Sequence, residues 1–408
     1  MTQSVLKHEL VKRIKLHGKI TFAEFMDVVL YHPIGGYYSA GDRFAIGSKD
    51  YYTSVNTHPG FGAVIAVQLF GMWEALGQPK RFDVIESGAS TGLLAKDVLG
   101  YSKYLPDKFR YALKYTVVDI WSGQFSNDHS VLGYNRVVSS GLPFSGIIGC
   151  VISNELFDSF PVHLTKIING EVKEIYVTYH DGVFKEIYGM PSSSSIESRA
   201  RALGINEGQL GEINTNITHW ITELGHLMDT GFVLTVDYGY HTSCPRNPMH
   251  ANSTLQTYYK HTRGSNPYEH IGLQDITTHV DFSVLINEGM LFGLKKVRLC
   301  TQAQYMYGFG LYNWLQMLRT HPMTQRERDS NMIALRELAK ENGLGDFKVL
   351  IQEKRTGITE LADLIPKALN LKKLPLPLLR NDHISTLDSR YPHSTMVGYD
   401  LCNFDTNM

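Results

Sequence analysis

Residues 82–92 have the sequence Phe82-Asp83-Val84-Ile85-Glu86-Ser87-Gly88-Ala89-Ser90-Thr91-Gly92, and a helical pattern follows over 93–99. The apolar pair Val84 and Ile85 predicts a buried strand that ends at Glu86. Gly88 and Gly92 can adopt backbone angles that bulkier residues rarely reach, so the turn after the strand can approach a ligand closely. The segment therefore predicts a strand, a tight turn and a helix, an arrangement that holds nucleotide-like ligands in α/β proteins.

The chemistry of this turn favours a cationic ligand over a phosphorylated one. No Lys-Ser or Lys-Thr pair follows the glycines, so the turn is not a P-loop. An acidic residue at the strand end, Glu86, suits positive charge and hydroxyl groups better than phosphates. S-adenosylmethionine combines a sulfonium, an ammonium group and ribose hydroxyls with no phosphate, and it fits these residues. On this motif alone, an ordinary strand-to-helix turn stays open as the alternative.

The bulk composition excludes several classes of protein. The chain of 408 residues carries 39 basic and 40 acidic side chains, so no global charge favours a nucleic acid as partner. No apolar run approaches the ~20 residues that span a bilayer, so no membrane insertion is expected. The four cysteines are widely spaced, which predicts reduced thiols rather than a zinc site or a disulfide framework. Residues 1–20 favour an ordinary helix over a mitochondrial presequence.

Other predicted strands also end in polar side chains. Buried strands are predicted over 114–119, 147–152, 231–237 and 347–354. The polar side chains that follow the first three are Asp119, Asn154, Glu155, Asp158 and Asp237. Ligands of open α/β sheets bind at the carboxyl ends of strands, so we expect these side chains to surround one site. Asp119 is placed to accept hydrogen bonds from ribose hydroxyls. A solvated Asp119, and a Glu155 and Asp158 that only complement a helix dipole, stay open as alternatives.

The remaining chain supplies helices, a meander and a long loop. Thr21 and Glu24 predict a capping box at the start of a helix that ends at 31, and a further helix is expected over 61–76. Two-residue turns, Asn169-Gly170 and Asp181-Gly182, predict a three-stranded meander. Helical patterns cover 194–228 and 275–293. The segment 32–54 is rich in glycine and tyrosine, and it is either a packed loop or a flap over a ligand. The histidines of the long loop after residue 239 lack the spacing of a metal site.

At this point the sequence resembles the MidA-like S-adenosylmethionine-dependent methyltransferases, a family that includes the mitochondrial complex I assembly methyltransferase and many bacterial proteins. The similarity spans residues 18–355. The matching motifs are Tyr31-His32-Pro33 with Gly36-Tyr37-Tyr38, Asp50-Tyr51-Tyr52-Thr53-Ser54, 86–92, Val118-Asp119, 154–161, Asp237-Tyr238-Gly239, 274–282 and 301–310. The chain departs from the family pattern at three positions. Ser90 replaces a glycine, Asp119 replaces a glutamate and Val55 replaces a proline.

The resemblance implies an α/β fold, the class I methyltransferase (Rossmann-like) sheet with six parallel strands and a seventh antiparallel one. The implied domains are an N-terminal cap of helices and a Tyr/Gly-rich loop over 1–77, a methyltransferase domain over 78–355 and a C-terminal arm over 356–408. The β-meander over about 162–190 is an insertion in the second of these.

The resemblance also implies a cofactor and a set of site residues. S-adenosyl-L-methionine is the implied cofactor, and its predicted contacts are Thr53, Glu86, Gly88, Ala89, Ser90, Gly92, Asp119 and Asn154. The catalytic candidates are Glu155 and Asp158, which would fix an acceptor guanidinium, and His279, which could accept the released proton. A helix-start His279 bonded to backbone is the alternative for that residue. No metal is expected.

The implied activity is methylation of a protein on arginine, with a subunit of a respiratory complex as a candidate partner. A small-molecule methyltransferase stays open as an alternative. Ser90 crowds the turn where the ligand would lie, so a cofactor-binding assembly factor without turnover is a third reading. The implied location is the cytoplasm in a bacterium and the mitochondrial matrix in a eukaryote, and the oligomeric state is left open.

Overall fold

The structure, a computed structural model, describes residues 2–39, 53–120, 133–241, 253–260, 262–380 and 383. The helices of this part of the chain are α1 (Thr2–His17), α2 (Phe22–Tyr31), α3 (Ser54–Thr57), α4 (Gly60–Ala75), α5 (Leu93–Ser102), α6 (Asp107–Ala112), α7 (Ser194–Ala202), α8 (Asn216–Leu227), α9 (Phe282–Leu291), α10 (Gln302–Gly308), α11 (Leu311–Thr320) and α12 (Gln325–Glu337). The strands are β1 (Ile20–Thr21), β2 (Phe82–Ser87), β3 (Leu113–Asp119), β4 (Asn135–Val138), β5 (Ile147–Asn154), β6 (His163–Ile168), β7 (Glu171–His180), β8 (Val183–Gly189), β9 (Leu210–Ile213), β10 (Met228–Asp237), β11 (Gly239–Tyr240), β12 (Gln256–Tyr259), β13 (Thr262–Gly264), β14 (Asp275–Thr277), β15 (Val280–Asp281), β16 (Lys295–Thr301) and β17 (Lys348–Lys354).

The main sheet has seven strands in the order β16-β17-β10-β5-β2-β3-β4. β17 runs antiparallel to both of its neighbours, and the pairs from β10 to β4 are all parallel. The predicted class I methyltransferase sheet is therefore confirmed, with 347–354 as its late antiparallel strand. The chain moves outward from β2 to β3 and β4 and then returns to β5 on the other side. This reversal opens a crevice between β2 and β5, where ligands of such sheets bind.

Both faces of the main sheet are buried. Val84 and Cys150 pack in one core cluster with α4 and α5, whereas Ile85 and Val151 pack in a second cluster with α8 and α9. Adjacent residues of a strand point to opposite faces, so each strand must be apolar at successive positions when helices cover both sides. This explains the continuous apolar runs in the sequence.

The predicted meander is present as part of a second sheet. β7 pairs antiparallel with β6 and with β8, and the two short turns carry Asn169 and Asp181 at φ of +53° and +54°. β1 extends this sheet along β7, and β9 extends it along β6. Helices α1 and α2 pack against the sheet through an apolar cluster that includes Phe22, Phe25 and Val177. The second sheet thereby carries the N-terminal helices.

The prediction of one continuous helix over 194–228 is wrong for the middle of this segment. It is two helices, α7 and α8, with β9 between them. Gly204 and Gly208 take positive φ angles of +63° and +78°, which turn the chain away from α7. Leu210 then pairs with Lys166 of β6, a partner far away in sequence. A tertiary strand pairing therefore overrides the local helical pattern.

The helix predicted to begin at 275 begins later, at Phe282. Residues 275–277 form β14, which pairs with β12. Asp281 supplies the helix cap, because its Oδ1 accepts a hydrogen bond from the backbone N of Ser283 at 2.8 Å. His279 consequently lies in the extended segment before the cap rather than in the first helical turn.

The start of α2 agrees with the prediction. Thr21 Oγ1 accepts from Glu24 N at 3.1 Å, and Glu24 Oε2 accepts from Thr21 N at 2.8 Å, which is the predicted capping box. Part of the predicted Tyr/Gly-rich loop, residues 40–52, lies outside the described residues. Within the part of the chain that the structure describes, no helix has the length and apolarity needed to cross a bilayer.

The described part of the arm that follows β17, residues 355–380 and 383, lies on the main sheet's helices. Leu364 is buried in the cluster that contains α4, and its carbonyl accepts from Gln68 Nε2 at 3.2 Å. A Cβ on Gly71 would lie 2.0 Å from that same carbonyl, so only glycine allows this approach. Farther along, Tyr101 of α5 donates its hydroxyl to the carbonyl of Pro375 at 2.7 Å.

Candidate functional site

A cavity of about 740 Å³ lies at the carboxyl ends of β2, β3 and β5, where the order of the strands reverses. Its walls are formed by residues 27, 31, 33, 37–39, 53, 55, 56, 86–91, 93, 118–120, 139–142, 154–156, 159–161, 216, 219, 220 and 223. The volume is within the range of small-molecule and cofactor sites. The cavity reaches from the turn after β2 to the segment that follows α2.

Most of the predicted site residues meet at this cavity. Those that line it are Thr53, Glu86, Gly88, Ala89, Ser90, Asp119, Asn154 and Glu155. Gly92, Asp158 and His279 are not among the described lining residues. The structure thus brings together the predicted cofactor contacts, apart from Gly92, and one of the three catalytic candidates.

The turn after β2 is built on left-handed backbone. Gly88, Ser90 and Gly92 have φ angles of +72°, +50° and +72°. The backbone N of Ser90 donates to Asp119 Oδ2 at 2.6 Å, which joins the turn to the end of β3. The Oγ of Ser90 is buried without a hydrogen-bond partner among the described residues. It is a polar atom at the cavity that a ligand could satisfy.

Gly92 packs closely against Tyr134 at the end of the turn. A Cβ at this position would lie 2.4 Å from the hydroxyl oxygen of Tyr134, so a side chain would displace either the tyrosine or the start of α5. Gly88 is restricted in the same way, since its Cβ would lie 2.9 Å from Leu156 Cδ1. These two glycines are therefore required by close packing as well as by their positive φ.

Glu86 is almost fully buried at the end of β2. It is only 4% exposed, and the Tyr115 hydroxyl donates to its Oε2 at 2.8 Å. Burial raises the pKa of Glu86 to about 8, with the Tyr115 hydrogen bond opposing the shift and the nearby Asp119 adding to it. A cationic ligand beside this carboxyl would favour its ionised form.

Glu155 stands on a strained turn at the end of β5. Its φ is +51°, and its backbone N donates to the carbonyl of Val236 at 2.8 Å. Its Oε1 accepts from the backbone N of Ser54 at 3.3 Å and from Asn154 Nδ2 at 3.1 Å. These contacts tie the carboxylate to the start of α3 and hold it at the cavity wall. Strain of this kind is characteristic of functional sites.

Asp237 holds the backbone that follows Glu155. Its Oδ2 accepts from the backbone N of Leu156 at 3.1 Å and of Phe157 at 2.9 Å, and its side chain is fully buried. Burial raises the pKa of Asp237 above its usual range, and the charge of Glu155 adds to the shift. Asp237 is therefore a positioning residue behind the cavity.

Asp158 and His279 lie outside the described lining of the cavity. Asp158 is buried, and burial raises its pKa well above the usual range, with the charges of Asp237 and Asp275 adding to the effect. The backbone N of His279 donates to Thr254 Oγ1 at 3.0 Å, and its ring contacts the ring of Tyr238 edge-on at 5.1 Å.

Several lining residues carried no signal in the sequence. Glu223 of α8 accepts from the backbone N of Leu142 at 3.1 Å, which closes the cavity near the end of β4. Its helix shows only an amphipathic pattern, which identifies the buried face and not the residues that reach a ligand. Tyr31 and Tyr38 also line the cavity, and the sequence indicated them only through the tyrosine-rich composition of segment 32–54 and the family motif that contains them.

The electrostatic character of the cavity is one-sided. The acidic residues that line it are Asp27, Glu86, Asp119, Glu155 and Glu223. Among the described residues no lysine or arginine lines it. An acidic lining favours positively charged ligands and disfavours phosphates. The donor set therefore fits a sulfonium compound with ribose hydroxyls.

The fold and this site define a class I methyltransferase, and comparison with known families identifies which kind. A family model of S-adenosyl-L-methionine-dependent methyltransferases matches residues 64–298, which is more than half of the chain. The chain belongs to this family, and S-adenosyl-L-methionine is its cofactor. When bound, this cofactor supplies an activated methyl group on a positively charged sulfur.

Relatives and solved structures agree with this assignment. "Protein arginine methyltransferase NDUFAF7 homolog, mitochondrial" from Drosophila melanogaster is 25% identical over 315 residues, 69% of each chain. "Protein arginine methyltransferase NDUFAF7, mitochondrial" from Danio rerio is 24% identical over 355 residues, 78% of this chain and 79% of the relative. A crystal structure of a Burkholderia thailandensis protein bound to S-adenosyl-homocysteine has a TM-score of 0.76 at 24% identity. It covers 91% of this chain and 95% of its own, and it shows the same fold.

Proposed function

We propose that this methyltransferase acts on arginine side chains of a protein substrate. The observation that carries the proposal is the acidic cavity, which continues from the cofactor turn to Glu155 and the tyrosine segment without a described lysine or arginine in its wall. An arginine keeps its positive charge at any physiological pH, since its pKa is about 12.5 or higher. The names of the relatives from Drosophila and Danio support the same activity.

The cofactor half of the cavity is assigned to the residues around β2. The backbone of residues 88–90 and the Ser90 hydroxyl would face the cofactor, and Asp119 would accept from its ribose hydroxyls. Glu86 would face the positively charged methionine end, with Thr53 and Asn154 beside it. Gly92 acts indirectly, by allowing α5 to begin close to Tyr134.

Glu155 is the proposed catalytic residue. A carboxylate can accept two N–H groups of a guanidinium, which fixes its plane and orients one nitrogen for in-line attack on the methyl group. The same hydrogen bonds keep the positive charge away from the attacking nitrogen and provide an acceptor for the proton that it loses. Asp158 and His279 are outside the described cavity lining, so in this proposal neither touches the substrate, and Asp158 acts on Glu155 through its charge.

The partner proposed for this activity is a protein, and the family resemblance suggests a subunit of a respiratory complex. The test is transfer of a labelled methyl group from S-adenosylmethionine in a lysate of cells that lack the protein. We expect label in the protein fraction, recovered as methylarginine after hydrolysis, and none with a Glu155→Gln control. Label confined to the small-molecule fraction would identify a small-molecule methyltransferase instead. Intact S-adenosylhomocysteine binding with no transfer to either fraction would identify an assembly factor without turnover.

A further inference from the structure

Three of the residues that line the cavity are tyrosines that contact one another. The rings of Tyr31 and Tyr38 are stacked, with centroids 5.5 Å apart and planes at 27°. The ring of Tyr37 meets Tyr38 edge-on at 5.1 Å and 87°. All three line the same cavity as Glu155. We refer to Tyr31, Tyr37 and Tyr38 as the tyrosine wall.

The hydroxyls of two of these tyrosines are already engaged. Tyr31 donates its hydroxyl to Ser159, with the carbonyl oxygen at 2.9 Å, and Tyr38 donates to Asp275 Oδ1 at 2.7 Å. A phenol has a single hydrogen to donate, so neither can donate to a ligand as well. Burial also raises the pKa of Tyr31, which keeps the phenol neutral. Apart from the phenol oxygens, which can still accept hydrogen bonds, these side chains therefore offer aromatic surface to a ligand in the cavity.

Aromatic surface and carboxylates are combined at this end of the cavity. Ser159, which holds Tyr31, follows Glu155 by four positions on the segment after β5, so the tyrosine wall and the carboxylate belong to one connected unit. Asp27 adds a second carboxylate to the lining from α2. A planar cation is the ligand that such a combination accepts best, because its face stacks on a ring while its edge donates to carboxylates.

We infer that Tyr31 and Tyr38 form the acceptor subsite, on which the face of a guanidinium stacks while its edge is bound by Glu155. The inference rests on the proposed function, and it adds the residues that select the substrate. A lysine ammonium has no planar face and would gain less from the wall. The tyrosine wall therefore selects arginine over lysine.

The test uses the full-length protein saturated with S-adenosylhomocysteine. The probes are acetylated and amidated Gly-Arg-Gly and Gly-Lys-Gly peptides, and binding is measured by calorimetry. We expect the arginine peptide to bind at least tenfold more tightly than the lysine peptide. Tyr31→Leu and Tyr38→Leu should each weaken the arginine peptide at least tenfold and leave the lysine peptide within threefold.

The conservative variants separate the rings from the hydroxyl contacts. Tyr38→Phe keeps the ring and loses the bond to Asp275, so its affinity for the arginine peptide should stay within threefold of the parent. S-adenosylhomocysteine affinity within twofold of the parent establishes that each variant is folded. The matched control is Tyr188→Leu, because Tyr188 is exposed on β8, outside the cavity lining.

Three results would overturn the inference. They are failure of the parent to bind the arginine peptide, unchanged binding by the folded Leu variants, and equal losses in Tyr38→Phe and Tyr38→Leu. The proposed function is tested separately, by the formation of methylarginine. If the Leu variants form methylarginine with an unchanged KM, the acceptor subsite is rejected and the proposed function stands. If peptide binding depends on the rings but no protein acquires methylarginine, the proposed function is rejected and the subsite stands.

Discussion

The cavity has a cofactor half around residues 86–91 and an acceptor half around Glu155, Tyr31 and Tyr38. These two halves are assembled in different ways. The cofactor half uses one short segment, 86–91, and the ends of two strands that pair beside it. The acceptor half is held by contacts between distant residues, since Tyr31 and Ser159 are 128 positions apart and Tyr38 and Asp275 are 237 apart. Most contacts of the cofactor half therefore come from one segment and the strands beside it, whereas the acceptor half depends on pairs of residues that are far apart in sequence. Substitutions in the two halves should therefore separate cofactor affinity from transfer rate.

The largest effect is expected for Glu155→Gln. Glutamine can keep an oxygen toward Ser54 N, but it removes the charge that orients the guanidinium. We expect kcat to fall at least 100-fold, in line with the usual loss of a positioned acid–base group. S-adenosylhomocysteine affinity should stay within about threefold, since binding and transfer belong to different halves. Steady-state kinetics and calorimetry provide the two measurements.

Glu223→Gln is the matched control for this variant, because Glu223 also lines the cavity but its described contact is with the backbone of Leu142. Its kcat should remain within about tenfold of the parent, a loss smaller than that of a catalytic group. Equal losses of kcat in the two variants would mean that general cavity charge, rather than Glu155 itself, supports transfer.

The second effect concerns the cofactor half. Asp119→Asn keeps an oxygen for the 2.6 Å hydrogen bond from Ser90 N but loses the charge offered to the ribose hydroxyls. Hydrogen bonds to charged groups contribute about 1.5–3 kcal/mol, so S-adenosylhomocysteine affinity should fall about 10- to 100-fold. Calorimetry gives the affinity, and kcat at saturating cofactor should change less than threefold. A fall in kcat with unchanged affinity would contradict the division into two halves.

The third effect is a dependence of cofactor binding on pH. In the free protein the pKa of Glu86 is raised to about 8 by burial, so the carboxyl is mostly protonated at pH 6.5 and half ionised near pH 8. The ammonium group that S-adenosylhomocysteine shares with the cofactor favours the ionised form of Glu86, so the proton that must leave opposes binding below pH 8. Affinity for S-adenosylhomocysteine should therefore rise about tenfold from pH 6.5 to 8. Glu86→Gln should remove this part of the slope, and identical slopes in both proteins would exclude Glu86 as the titrating group.

The smallest effect is expected for Ser90→Gly. Ser90 has a φ of +50°, a conformation that costs a residue with a Cβ about 1–2 kcal/mol. Glycine avoids this cost, but its greater freedom in the unfolded state offsets part of the gain. We expect the free energy of unfolding to rise by about 0.5–1 kcal/mol in urea titrations. Gln78→Gly is the control, since Gln78 has a φ of +59° outside the cavity lining and should gain a similar amount. Only Ser90→Gly should alter S-adenosylhomocysteine affinity, because only Ser90 lines the cavity.

The difference between local signals and long-range contacts also determines which features of the fold and the site could be predicted from the sequence. The strands of the main sheet and the cofactor half follow from apolar runs that end in polar residues, and these are local signals. β9 and β14 were predicted as helix, because their extended form depends on pairing with β6 and β12. Glu223 has no local signal, since its position at the cavity depends on how α8 packs. The tyrosine segment was recognisable as a loop of unusual composition that contains a family motif, but its contacts with Ser159 and Asp275 were not predictable.

The arm after β17 gives α5 a dependence on residues that are far away in the sequence. Asp97 of α5 is fully buried, and the described partners of its carboxylate are Arg380 and His383, the latter at 2.9 Å. They follow it by 283 and 286 positions. A buried carboxylate without partners is strongly unfavourable, so loss of Arg380 and His383 should destabilise α5. Because α5 begins at the cofactor turn, these two residues should support cofactor affinity from outside the cavity.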